Sequence, residues 1–518
     1  MKNALIIFAI CLIISCNKKQ EKVNQLGVVD LHVFGSNTAQ PHFKRGLLLL
    51  HSFEYTDARE EFLKAQEKDP EMGMAYWGEA MTYNHAIWGE QDYDEGLLAL
   101  EKYKALNAKD KLSAVEQDFL NAVDILYKSK TPKADRDQDY MNYMKNLYNK
   151  YPENHEVAAF YAISLLGSVQ EGRNDSIYGL GAKVAEKILK VNPEHPGALH
   201  YLIHSYDDPV HAKLALDAAN AYSQVAPDAS HALHMPSHIF VALGMWDRVV
   251  NSNIDSYQAS LNRMERKSLD NNARGFHAYH WLEYGYLQQD SIEQAKQMVL
   301  KMQQYTDETP TKRIRAHMVF LKGTYLVETN DWESPLANIE IDVSGLNLTI
   351  KSQYWFLEAY KAFVKSDAKK IDEIIDQFNS EIKKESLLVS NLNDGFTVCS
   401  SLSRDTPTQT NIDESTVMLT QIYALRDWSD NRIIETERWL KDAIDAGQKL
   451  SYSYGPPVIK KPTHELYADW LMSQERYEEA MKHYDLALKM GPNRKSARDG
   501  IEKSRILIQN EVTASAES

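Results

Sequence analysis

Cysteine is close to absent from this 518-residue chain: there are 3, and Cys11 and Cys16 both lie in the first sixteen positions. Cys399 alone remains beyond them, which excludes an internal disulfide and a cysteine zinc site in the body of the protein. Stability has to come from packing. Positive charge is in deficit too, with 58 Lys and Arg against 73 Asp and Glu, a formal net charge of −15. Nucleic-acid binders concentrate positive charge, so this balance argues against a nucleic-acid partner. No alternating strand pattern with hairpin signals is visible, and no second membrane-span candidate follows the first residues. What remains is a large polar chain with 43% hydrophobic residues and 29 tyrosines, too long for one compact core and suited to several domains or an elongated repeat array.

The N-terminus reads Met1-Lys2-Asn3, an apolar run from Ala4 to Ile14, then Ser15-Cys16. Eleven apolar residues are too few for a spanning helix, which needs about 20, and the basic start and small residue before the cysteine describe an export signal. Leu12-Ile13-Ile14-Ser15-Cys16 resembles the lipobox of bacterial lipoproteins. The resemblance implies cleavage before Cys16 and a lipid anchor on it, each buried CH₂ contributing roughly 0.8 kcal/mol. Asn17 follows in place of the aspartate associated with inner-membrane retention, so the expectation is a lipid-anchored envelope protein, outer membrane first.

Repetition organises the rest. Tyr55, Ala58, Phe62, Ala65 and Pro70 recur at the same offsets as Tyr477, Ala480, Tyr484, Ala487 and Pro492. Small alanines let two antiparallel helices approach, the aromatics fill the space to the next unit, and the proline ends the second helix. Gly181, Ala185, Ile188 and Pro193 are matched by Ala215, Ala219, Tyr222 and Pro227, and the shift from Pro193 to Pro227 is the length of one tetratricopeptide unit. These motifs resemble the tetratricopeptide-repeat superfamily over most of the chain, and imply an all-α fold of helical hairpins stacked into a superhelical solenoid. Further pairs are expected at Met72–Leu106, Ala316–Asn338 and Val417–Ala446, with loops at Lys130–Arg136, Glu171–Gly179 and Asn391–Glu414. The boundaries read 1–15 signal peptide, 16–41 lipidated linker, 42–390 main array, 391–414 loop or linker, 415–509 C-terminal repeats and 510–518 a frayed tail.

Seven of 17 histidines fall between His195 and His238. His200 and His204 are one helical turn apart, as are His234 and His238, and each of the second pair stands one repeat unit after its counterpart in the first. His231 and His234 recur as His277 and His280, shifted by one unit plus an insertion. In the first helix, Leu199, Leu202, Ile203 and Tyr206 form an apolar stripe, and His200, His204, Asp207 and His211 follow one residue round. The apolar stripe is expected to pack on its own second helix and the histidines to face the concave groove where this superfamily binds ligands. Three readings stay open: structural hydrogen bonds between units; a groove for a protein partner or an oligosaccharide, with His200, His204, Asp207, His231, His234, His238, His277, His280 and Tyr284 as contacts; and a divalent-metal site from His200, His204, His234 and His238.

Catalytic signals are weak. His155-Glu156 and His464-Glu465 begin like a zinc-protease helix, but Ala159 and Ala468 stand where the second histidine belongs, and both read as ordinary helix surface. No catalytic residue is assigned. The functional expectation is a lipid-tethered binding or scaffold protein, in polysaccharide uptake by analogy, with a metal-dependent hydrolase as the rival.

Overall fold

The computed structural model describes residues 25–106, 109–170, 172–389 and 407–517. Cys16, the lipobox and Cys399 lie outside them. Among the described residues the regular secondary structure is helical apart from a two-residue antiparallel ribbon pairing Asn84 with Gln91 and His85 with Glu90. No described helix is long and apolar enough to cross a membrane.

Helices follow one another as antiparallel hairpins: Gln40–His51 with Tyr55–Lys68, Gly73–Met81 with Tyr93–Ala105, Ala114–Leu126 with Lys133–Lys150, and His155–Gly167 with Asp175–Leu189. Beyond these, Pro196–Ser205 pairs with Leu216–Val225, and Phe276–Gln288 with Ile292–Glu308. The second helices stop two residues before Pro70, Pro227 and Pro492, as the prolines demand. The fold is all-α, tetratricopeptide-type hairpins stacked as a superhelical solenoid.

The motif residues do the packing expected of them. Phe62 is fully buried and lies between two glycines, Gly46 of its partner helix and Gly78 of the next; a methyl group there would sit 2.8 and 2.4 Å from its ring. Tyr484 meets Gly500 in the same way. Glycine is needed because the ring occupies the space of a Cβ.

The insertion before His277 is a long second helix, Trp246–Lys267, followed by a short 3-10 turn at Asn271–Ala273. Pro236 breaks its helix, separating Ser230–His234 from Pro236–Ala242. The pair expected over Ala316–Asn338 is corrected: Lys312–Thr329 is one helix, and Pro335–Asn338 is only a 3-10 turn before Leu348–Val364. The last helix runs from Lys495 to Glu517, so helical backbone continues through the segment expected to fray.

Two apolar cores meet inside one pair of helices. Val249 belongs to the N-terminal core and Val250 to the C-terminal one; Trp281 and Tyr284 join the first, Tyr279 and Leu282 the second. The second core contains Phe378 and Met418 alike, so the chain on either side of 391–414 shares it. Residues 25–39, read from sequence as linker, are docked: Leu26 and Val29 are buried, and Val28 N–H donates to the Glu194 carbonyl at 2.9 Å.

Candidate metal centre

The Pro196–Ser205 helix starts on His195, whose Nδ1 accepts from the Ala198 N–H at 3.1 Å, and on Pro196, pre-set for the first helical position. That start places His200 and His204 on one face, ring centroids 4.8 Å apart. The expectation of an open groove is corrected here. Every residue of this helix is buried, because the Gln40–His51 helix and the Ser230–His234 turn cover the histidine face.

Six histidines form two adjoining triads. In one, His200, His204 and His231 bring a ring nitrogen each within 4.8 Å of one another; in the other, His234, His238 and His277 do the same. His200 Nε2 lies 3.1 Å from His204 Nε2 and 3.2 Å from His231 Nε2. The triads touch, with His204 and His238 ring centroids 5.9 Å apart and His231 and His234 6.2 Å apart.

The outer nitrogens are fixed. His200 Nδ1–H donates to the His51 carbonyl at 2.7 Å, and a carbonyl can only accept. Asn253 Nδ2 donates to the Val249 carbonyl, so its Oδ1 faces His234 and receives Nδ1–H at 2.7 Å. Asp207 Oδ2 takes the proton-bearing Nδ1 of His238 at 2.5 Å. With Nδ1 protonated, a neutral imidazole keeps its Nε2 lone pair free. Nε2 of His234 and of His238 is buried without a hydrogen-bond partner. His200 has one lone pair facing two other ring nitrogens, which neutral imidazoles can satisfy only in part.

Burial disfavours the charged form of five of these rings. It pushes His200, His204, His231 and His277 well below the ordinary imidazole value, with neighbouring histidines adding repulsion, and takes His234 to about 3. The same burial raises the Asp207 carboxyl, against the pull of His238 and Arg173. Aromatic rings close the shell: Phe53 at 4.3 Å from His200, Tyr222 stacked on it at 5.4 Å, and Trp281 at 4.8 and 4.4 Å from His234 and His238. Residues 448–462, a non-helical strap, lay Tyr454 at 6.0 Å from His238. Gly455, at φ +75°, passes so close to Trp281 that a Cβ would lie 2.2 Å from its ring. The strap borders a cavity of about 200 Å³ lined by Trp246, Tyr284, Tyr452 and Arg494, and no triad histidine lines it.

Other expected residues lie elsewhere. Asp207 stands behind His238 and faces no groove. His280 meets Thr324 Oγ1 at 2.8 Å and stacks on Phe320 at 5.5 Å. Tyr284 Oη accepts from Arg494 Nη1 at 2.8 Å, in a buried ionic group with Glu465 and Glu328. The expected metal set of His200, His204, His234 and His238 divides between the two triads, with His231 and His277 completing them.

A third group, His51, Glu156 and His195, is already satisfied. Glu156 bridges His51 Nε2 at 2.7 Å and His195 Nε2 at 3.2 Å, while His51 Nδ1 meets Tyr201 Oη at 2.9 Å. Each ring nitrogen has a protein partner, as in a structural network. Glu156 and Glu465, read from sequence as helix surface, are both fully buried. His51 was not singled out from the sequence; a histidine closing the apolar run Leu47–Leu50 was the available signal.

No protein-family profile matches the chain, and no curated protein does. Among solved structures, the TPR domain of P58(IPK) aligns at 13% identity over 91% of this chain and 99% of its own, TM-score 0.21. Yeast Tom70 aligns at 10% identity over 92% and 90%, TM-score 0.32. A human IFIT1 dimer with m7Gppp-AAAA aligns at 12% over 89% and 95%, TM-score 0.36. Overlaps of this size leave the description of the fold to the chain's own helix pairing.

Proposed function

We propose that this chain is a helical-repeat binding protein of the bacterial envelope, tethered through lipid on Cys16, whose specific ligand is a transition-metal ion held by the histidine triads. The observation that carries the reading is the state of the imidazoles. His200, His234 and His238 each commit Nδ1–H to a carbonyl, an amide oxygen or a carboxylate, while Nε2 of His200 faces two other ring nitrogens and Nε2 of His234 and His238 is buried without a hydrogen-bond partner. Metal-bound histidines are oriented by this kind of outer partner, which also raises their basicity. His51 and His195, by contrast, use both ring nitrogens on protein partners.

Capture of a protein partner or an oligosaccharide is the second reading, and the coarse role of a binding or scaffold body is common to both. A chain-like ligand would need the histidine face open, and that face is filled by the chain's own first hairpin and strap. Saccharide capture in glycan uptake therefore has to use another surface.

Elemental analysis of full-length protein extracted from membranes, beside Cys16→Ala protein collected from the soluble fraction, tests the proposal. Both preparations are expected to hold copper, zinc or another transition metal after loading, and the double variant His200→Ala/His234→Ala to lose it. Folded protein that retains no ion from copper or zinc solutions overturns the metal reading. Cys16→Ala protein that stays in the membrane overturns the tether.

A further inference from the structure

We infer that the two triads form one dinuclear site for copper, taken up as copper(I). The inference rests on the metal reading above and adds the number and kind of ions. Each triad offers three imidazole nitrogens within 4.8 Å, a complete set for an ion of low coordination number. The triads adjoin, His204 against His238 and His231 against His234, so two ions would be neighbours.

The donors select the element. All six are imidazoles; the nearest carboxylate, Asp207, is engaged with Nδ1 of His238 and belongs to neither triad. Hard ions such as magnesium, calcium and manganese need oxygen ligands and find none inside either set. Imidazole suits zinc, copper, iron and nickel, and copper stands highest among the divalent ions for a given site. Charge then chooses the oxidation state. The desolvation cost of an ion rises with the square of its charge, so a divalent ion costs about four times a monovalent one in the same dry setting. The triads supply no negative charge to offset it, and four of their members are buried to within a few per cent of complete. Two copper(I) ions bring half the charge of two zinc(II) ions into that space.

The histidine spacing makes the site rigid before loading. His200 and His204 share a helix; His234 and His238 flank the Pro236 break; Asn253 and Asp207 hold the second pair from behind. His231 and His277 are half-buried, one in each triad, and form the two points of entry.

The test uses the metal-free full chain, titrated without oxygen with copper(I) against bathocuproine disulfonate. Two ions per chain are expected, falling to one in His231→Asn and to one in His277→Asn. After oxidation with ferricyanide, the two copper(II) ions of the wild type are expected to couple, giving a spin-resonance intensity well below the copper content, whereas each variant shows the full signal of one ion. The wild-type count and intensity need no variant to fold. A single ion per chain, two ions with full uncoupled intensity, or zinc(II) displacing the copper at equal concentration overturns the copper pair and leaves the metal reading standing. Binding of neither metal removes both.

Discussion

Glu414 shows what one buried carboxyl does to the stability of this molecule. It lies 6% exposed against Thr349, whose Oγ1 is 3.0 Å away, and burial raises its pKa to about 7 from 4.5. Between those two values the folded chain keeps a proton that the unfolded chain has released. Stability therefore falls as pH rises through that window, and the loss is complete above about 7. The shift corresponds to roughly 3 kcal/mol at full deprotonation. Glu414→Gln is expected to remove this slope: melting temperature compared at pH 5 and pH 8 should differ less in the variant, with the gain at pH 8. An unchanged slope would place the pH dependence in another group.

At the level of elements, the fit of aromatic to glycine decides how closely hairpins stack. Gly78→Ala would put a methyl group 2.4 Å from the ring of Phe62, which is fully buried and has nowhere to turn. Overpacking of this kind costs about 1–3 kcal/mol, and chemical denaturation of Gly78→Ala is expected to show it. These motifs were legible in the sequence because the contact partners are local and repeat. The histidine ladder was legible for the same reason: positions one repeat unit apart, His200 with His234 and His204 with His238, do reach one cluster. His280 shows where the pattern stopped informing. On the Phe276–Gln288 helix, His277, Trp281 and Tyr284 follow a seven-residue stripe, while His280 falls about 60° to the other side and meets Phe320. Tyr284, a turn further along, has already left the cluster. Whether a stripe faces a groove or a packed neighbour depends on contacts from distant chain. His51, which holds His200, comes from the first helix, and Tyr454, which covers His238, from the strap near the other end.

On the scale of the whole molecule, repeat proteins are held by nearest-neighbour interfaces, and their stability is a sum along one dimension. This chain departs from that rule. Asp57 on the second helix accepts from Arg263 Nε at 3.0 Å and from Lys267 Nζ at 2.8 Å, both on the distant Trp246–Lys267 helix. Ser230 Oγ donates to Glu54 at 2.9 Å, and Trp246 Nε1 donates to the Asn493 carbonyl at 2.9 Å. Both ends of the array are tied to its middle. Arg263→Ala removes a charged pair that is largely buried, and a loss of about 1–2 kcal/mol is expected. Hydrogen exchange is the decisive measurement: amides of Gln40–His51 and Tyr55–Lys68 should exchange faster in the variant, as the first hairpin loosens from the later ones. Exchange confined to Trp246–Lys267 would show that the tie is not felt across the superhelix.

The strap has a consequence in time. Synthesis delivers the last of the six triad imidazoles with His277, but Tyr454 and Gly455, which cap His238 and Trp281, arrive only after several more helices have been made. Until those residues are present, His238 and Trp281 lack this cover. In the folded chain the strap covers the His238 side, and an ion would reach either triad past the half-buried His231 and His277.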